Sequence, residues 1–259
     1  MTTETGITSN LGTFSHWESV YDRELSNFQN NKEDPGDIWY GEGSQDDAIE
    51  FGVAKVKEML WSEEEKIKAQ SMEDQGEEEC DWLKFDYRTL DLGCGNGCLT
   101  LKLLEEQWTD LTAADYVKES VELAEAVCLD GGFPKTAIDD EANYALSFSQ
   151  DDLRISKYTE TPFAVIFDKG TMDAFRLSVE NTPSLYFNSV NTFLELNGLL
   201  ILTSCNETID DMIRDFDGPG KGGDFEWKYE GSFNSKKPKF SFGGVTGAAY
   251  TIVCFRRVK

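Results

Sequence analysis

The chain has 259 residues, of which 39% are hydrophobic and 12% aromatic, enough apolar surface to offset the entropy of ordering one large domain. It carries 24 Lys and Arg against 49 Asp and Glu, a formal net charge of −25; such a field opposes stable nucleic-acid binding and anionic membrane surfaces, and favours a basic protein partner. No apolar run reaches the roughly 20 residues of a membrane helix, and the first thirty residues lack the pattern of a secretory signal, so a cytoplasmic protein is expected.

Residues 1–13 read as a flexible tail and 14–259 as a single domain. Trp17, Val20, Tyr21, Leu25 and Phe28 recur at helical spacing. Asp34-Pro35-Gly36-Asp37 signals a turn ahead of Trp39-Tyr40-Gly41. A second helix is expected from near Gln45, with Ile49, Val53, Val56 and Leu60 on one face. Residues 62–79, with Glu63-Glu64-Glu65 and Glu77-Glu78-Glu79, read as an acidic surface insertion.

From Arg88 onward, short apolar runs alternate with helical patterns. Strands are expected at Thr89–Asp91, Leu111–Asp115, Ala145–Ser149, Phe163–Asp168 and Leu199–Ser204. Helices are expected at Leu99–Glu106, Val117–Leu129 and Pro183–Leu196, the last opening on Pro183 and ending at Gly198. This rhythm is that of an α/β fold: a Rossmann-like, mostly parallel sheet with helices on both faces. Extended segments at Phe225–Phe233 and Ala249–Arg256 add a C-terminal antiparallel hairpin, making seven strands.

The six cysteines, Cys80, Cys94, Cys98, Cys128, Cys205 and Cys254, contain no CxxC pair, and His16 is the only histidine. Reduced thiols are expected, no metal site is, and a Ser-His-Asp hydrolase is disfavoured.

In an open α/β sheet, ligands bind where loops leave the carboxyl ends of strands. The first such loop is Asp91-Leu92-Gly93-Cys94-Gly95-Asn96-Gly97. Glycines let a ligand approach backbone amides at the following helix N-terminus. A dinucleotide fingerprint would place its third glycine at Cys98. The spacing of Gly93, Gly95 and Gly97 instead resembles the first motif of the seven-strand S-adenosylmethionine-dependent methyltransferases. Asp115, followed by Tyr116, ends the second strand, where a carboxylate can take the two hydroxyls of a ribose or else cap the next helix. Asp151 or Asp152 follows the third strand, where that family often sets an acid against the adenine amine. Asp168 leaves the central strand near the reacting centre, or caps a helix.

Further segments narrow the resemblance. Leu11-Gly12-Thr13, His16-Trp17, Val20-Tyr21, Gly36-Asp37-Ile38-Trp39-Tyr40-Gly41-Glu42, Asp168-Lys169-Gly170-Thr171, Ser204-Cys205-Asn206 and Pro238-Lys239-Phe240-Ser241-Phe242-Gly243-Gly244 are similar, in order, to the translation elongation factor 1-alpha lysine methyltransferases. The resemblance implies S-adenosylmethionine as cofactor and a lysine of that protein as acceptor. Trp39 would join the donor site with the loop residues Asp91, Gly93, Cys94, Gly95, Asn96 and Gly97. Asp168 would orient the amine or accept its proton, and Asn206 would line the acceptor side. Tyr40, Thr171, Phe240 and Phe242 would contact substrate. A small-molecule methyltransferase, or a non-catalytic binder of the same donor, is the alternative. Outside the resemblance lie residues 62–79 and the connection from Gly131 to Tyr144.

Overall fold

The computed structural model describes residues 9–74, 84–136, 143–155, 158, 161–178, 181, 183–219, 225–233, 240–242, 245–247 and 250–259. An eight-stranded sheet has the order β3-β2-β1-β4-β5-β10-β7-β6. Its strands are β1 (Thr89–Leu92), β2 (Asp110–Asp115), β3 (Ala145–Gln150), β4 (Phe163–Lys169), β5 (Leu194–Ser204), β6 (Gly218–Pro219), β7 (Glu226–Phe233) and β10 (Thr251–Arg257). The first five pair in parallel, and β10 lies antiparallel between β5 and β7. These are the seven expected strands, to which β6 adds a two-residue edge. The segments β8 (Phe240–Phe242) and β9 (Val245–Gly247) pair separately, inside the connection from β7 to β10.

Alternation along the central strands fills two cores. Ile166, Leu200, Leu202, Val253 and Phe255 face one side, and Val165, Phe167, Leu199, Ile201 and Cys254 the other, as the period-two geometry of a strand requires. On the first side, α7 (Pro183–Phe193) and α8 (Ile209–Phe216) supply Tyr186, Phe193, Met212 and Phe216. On the second, α2 (Glu42–Met59) and α4 (Cys98–Glu105) supply Ile49, Val56 and Leu103. Helix α1 (Phe14–Asn30) packs Trp17, Tyr21 and Phe28 with Leu123 and Val127 of α5 (Lys118–Asp130). Among the described residues, no helix is long and apolar enough to cross a membrane.

Three local expectations change. The helix opened by Pro183 stops at Phe193, and Gly198 lies inside β5, not at a helix end. Leu194, fully buried, already pairs with Phe163, and Asn197 with φ +68 absorbs the irregularity before the regular register resumes at Leu199. Strand pairing and burial outweigh the continuing helical pattern. Residues 10–12 of the expected tail form a 3-10 turn capped by Ser9, and the Leu11 carbonyl accepts from Trp17 Nε1 at 2.7 Å. Part of the acidic insertion is helical, as α3 (Glu63–Asp74), while residues 75–79 lie outside the described set.

Finally, α8 starts at Ile209 and is capped by Thr208. The Thr208 hydroxyl accepts from Asp211 N, and the Asp211 carboxylate accepts from Thr208 N, a reciprocal capping box. Thr208→Ala is expected to cost about 1 kcal/mol, seen as a lower urea midpoint at unchanged slope.

Candidate active site

The carboxyl ends of β3, β2, β1 and β4 open into one cavity of about 590 Å³. It sits across the β1–β4 pair, where the strand order reverses, the position at which open α/β sheets bind ligands. The loop after β1 is bent by Gly93, Gly95 and Gly97 at φ +71, +55 and +76, and each glycine is needed for a different reason. A Cβ on Gly93 would overlap Thr171 Oγ1, which donates to the Leu92 carbonyl at 2.7 Å. A Cβ on Gly95 would lie 2.8 Å from Tyr21 Oη, while the Gly95 backbone donates its N–H to Asp115 at 3.1 Å and accepts from Ser120 Oγ at 2.8 Å. Gly97 is the N-cap of α4, where a Cβ would lie 2.6 Å from Ala124 Cα of α5. Gly97 does not line the cavity. Its conformation is tied to the packing of α4 on α5. Cys94 and Asn96 do line it, and Asn96 Nδ2 ties the loop to the Asp37 carbonyl at 3.2 Å.

Acids of the expected donor site line the cavity. Asp91, 2% exposed, accepts from Thr100 Oγ1 at 2.6 Å, and burial raises its carboxyl to about 6. Asp115 accepts from Val117 N at 2.9 Å through one oxygen and from Gly95 N through the other. Burial pushes its pKa up, against the pull of those amides. Asp115 holds the chain turn at the end of β2 while its side of the turn lines the cavity. The helix-capping and ligand-binding readings are thus compatible. Asp151 and Asp152 both line the cavity, but the Asp152 carboxylate is taken by Arg154 Nε at 2.9 and 3.0 Å. Tyr116 lines the wall, edge-on to Phe14 at 5.3 Å.

The expected catalytic pair falls elsewhere. Asp168 is 1% exposed and does not line the cavity. Its carboxylate accepts from the Thr171 and Met172 amides at 3.0 and 3.1 Å and from Tyr186 Oη at 2.6 Å. It anchors the start of α6 (Thr171–Leu177) from within the core. Asn206 is exposed, away from the cavity, and its side-chain oxygen accepts from Cys205 Sγ at 3.6 Å. Thr171 does line the cavity. Tyr40 lies just outside it, in the left-handed region at φ +66, donating to Asp173 at 2.7 Å. The backbone of Phe240 and Phe242 forms β8, and their side chains lie outside the described set.

Burial holds the Asp168 carboxyl up to about 7, against the hydrogen bonds that lower it. A carboxyl whose folded pKa exceeds its unfolded value binds more protons when folded, so its contribution to stability declines as pH rises from about 4 to about 7. Asp168→Asn removes this titration. Its melting temperature relative to wild type is expected to improve between about pH 5 and pH 8; a pH-independent difference would contradict the raised value.

The cavity also recruits residues that the strand-end rule does not reach. Ser9, Gly12, Thr13 and Phe14 form part of its wall, with Trp17 and Tyr21 of α1. Gly12 sits so close to the Leu177 and Ser178 backbone that any Cβ would overlap it. Trp39 lines the same side, packed on Trp17 at 4.9 Å. Gln45, Lys169 and Phe175 complete this end. The signal for the first of these was present in Leu11-Gly12-Thr13, which periodicity alone assigns to a tail.

A family described as "Methyltransferase domain" matches residues 83–221. The fission-yeast protein named "Protein-lysine N-methyltransferase efm4" is 30% identical over 96% of this chain and 94% of its own length. The human protein named "EEF1A lysine methyltransferase 2" is 28% identical over 97% and 89% respectively. Among solved structures, the N-methyltransferase NodS from Bradyrhizobium japonicum, in complex with S-adenosylhomocysteine, has a similar fold, with a TM-score of 0.51 at 12% identity over 94% of this chain and 99% of that one. Near end-to-end similarity to proteins named for lysine methylation, on a chain whose cavity spans β1 to β4 around Asp91 and Asp115, leaves one conclusion: the chain belongs to the S-adenosylmethionine-dependent protein-lysine methyltransferases.

Proposed function

We propose that this enzyme methylates a lysine side chain of translation elongation factor 1-alpha. The observation that carries the choice of acceptor is the similarity, across nearly the whole chain, to relatives named for that substrate. The bound donor supplies a methyl group already activated on a sulfonium, so the task left to the chain is positioning. Asp115 and Asp151 hold the nucleoside end, and Asp91 and the loop from Gly93 to Asn96 the other. Asp168 acts indirectly, by fixing the amides that set the start of α6.

The acceptor amine must arrive neutral, which an apolar, partly desolvated wall favours. Trp39 lines that wall beside Thr171, and Tyr40 backs it from just outside the cavity. Tyr40 is locked by Asp173, which also accepts from Ser204 Oγ and, at 2.9 Å, from Cys205 N. The burial of Tyr40 and its bond to Asp173 hold its phenol protonated, with its pKa raised, so Tyr40 shapes the site and takes no proton from the amine. The net charge of −25 draws in a basic protein acceptor and disfavours nucleic acid. A translation-factor substrate implies a cytoplasmic location.

Incubating the enzyme with radiolabelled S-adenosylmethionine and a cell extract tests the acceptor class. Label should enter a protein band, as methyl-lysine after hydrolysis. Label confined to small metabolites would reject the protein acceptor.

A further inference from the structure

At the β1–β4 end of the cavity two hydrogen-bond donors lack the partners their burial demands. Gln45, at the start of α2, is 1% exposed, and its Nε2 is buried with no hydrogen-bond partner. Lys169, the last residue of β4, is half-buried and lines the cavity. Among the described residues its ammonium forms no ion pair, and its one hydrogen bond is a long 3.3 Å contact to the Trp39 carbonyl. The Asp91 carboxylate attracts it but is bonded to Thr100. Ser44, the neighbour of Gln45, also donates to the Trp39 carbonyl, at 3.2 Å, and Gln45, Trp39 and Lys169 line the same cavity.

A half-buried cation held by one long hydrogen bond and a buried amide donor with no acceptor are costly, and both are relieved by one anion. We propose that Lys169 and Gln45 form the subsite for the methionyl carboxylate of the donor, and so select a ligand that carries this group. The donor has one carboxylate. With Asp115 at the β2 end assigned to the ribose, the methionyl end falls to β1 and β4, where these two donors stand. Burial draws the Lys169 pKa below its ordinary value, and an arriving carboxylate would reverse that pull. Lys169 also explains how a chain with a large negative charge retains an anionic group beside Asp91.

The inference rests on the donor-site assignment, and calorimetry separates the two. Wild type is expected to bind S-adenosylhomocysteine about 30-fold more tightly than its decarboxylated analogue, the size of a charge-assisted contact. In Lys169→Met that ratio should collapse to within about threefold, with the decarboxylated ligand bound as well as by wild type. Gln45→Leu should shrink the ratio about fivefold. Equal losses for both ligands in Lys169→Met would overturn the proposal, because Lys169 would then act by holding the Trp39 segment. Equal affinity of wild type for both ligands would overturn it without any variant. Failure of wild type to bind either ligand would reject the donor site itself.

Discussion

Asp115→Ala is expected to weaken S-adenosylhomocysteine binding about 100-fold or more, the largest loss at any single side chain of the site. The carboxylate is 6% exposed and accepts from Gly95 N and Val117 N. Its removal takes away the acceptor for two ligand hydroxyls and releases the turn that Gly95 N and Val117 N hold on it. Each charge-assisted hydrogen bond is worth about 1.5–3 kcal/mol, and about 1.4 kcal/mol is a factor of ten. Asp115→Asn preserves the shape and one acceptor oxygen, so its loss should be about tenfold smaller. Isothermal titration reads both; an Asp115→Ala affinity within about threefold of wild type would remove this residue from the donor site.

Gly97→Val should act on stability and leave the ligand contacts untouched. The glycine holds φ +76, and a Cβ would lie 2.6 Å from the Cα and 2.7 Å from the Cβ of Ala124. A β-branched residue in the left-handed region costs about 1–3 kcal/mol, and overpacking against backbone that cannot yield adds about 1–3 kcal/mol. A loss of about 4 kcal/mol is expected, read as a lower denaturant midpoint. Titration at saturating ligand, on the fraction that remains folded, should show near-normal affinity. A stable variant with a specific binding defect would return Gly97 to the donor site.

The parts of the fold that the sequence made legible are those where burial is uniform. In β4, β5 and β10 every central residue faces one of two cores, so apolar runs mark the strands without ambiguity. The α7–β5 junction was not legible, because Leu194 is apolar in either state and its assignment depends on Phe163, thirty-one residues earlier. The site divides in the same way. Asp91, Asp115 and the glycine loop are recognisable because consecutive residues at a strand end supply them. Asp168 and Lys169 are adjacent at the end of β4, and successive strand residues point to opposite faces. Position along the sequence does not say which one meets the cavity. The structure places Lys169 there and Asp168 in the core with Tyr186. Gln45, Phe14 and Ser9 reach the cavity only through the packing of α1, α2 and the 3-10 turn, which no local pattern encodes.

The central claim is methyl transfer to a lysine of elongation factor 1-alpha, and intact-mass analysis of that protein tests it most directly. Purified, unmethylated elongation factor 1-alpha is incubated with this enzyme and S-adenosylmethionine, weighed, and then mapped by peptide. A mass gain of one or more methyl groups, confined to a lysine and lost with Asp115→Ala, is the predicted result. An unchanged mass with active, donor-binding enzyme would contradict it.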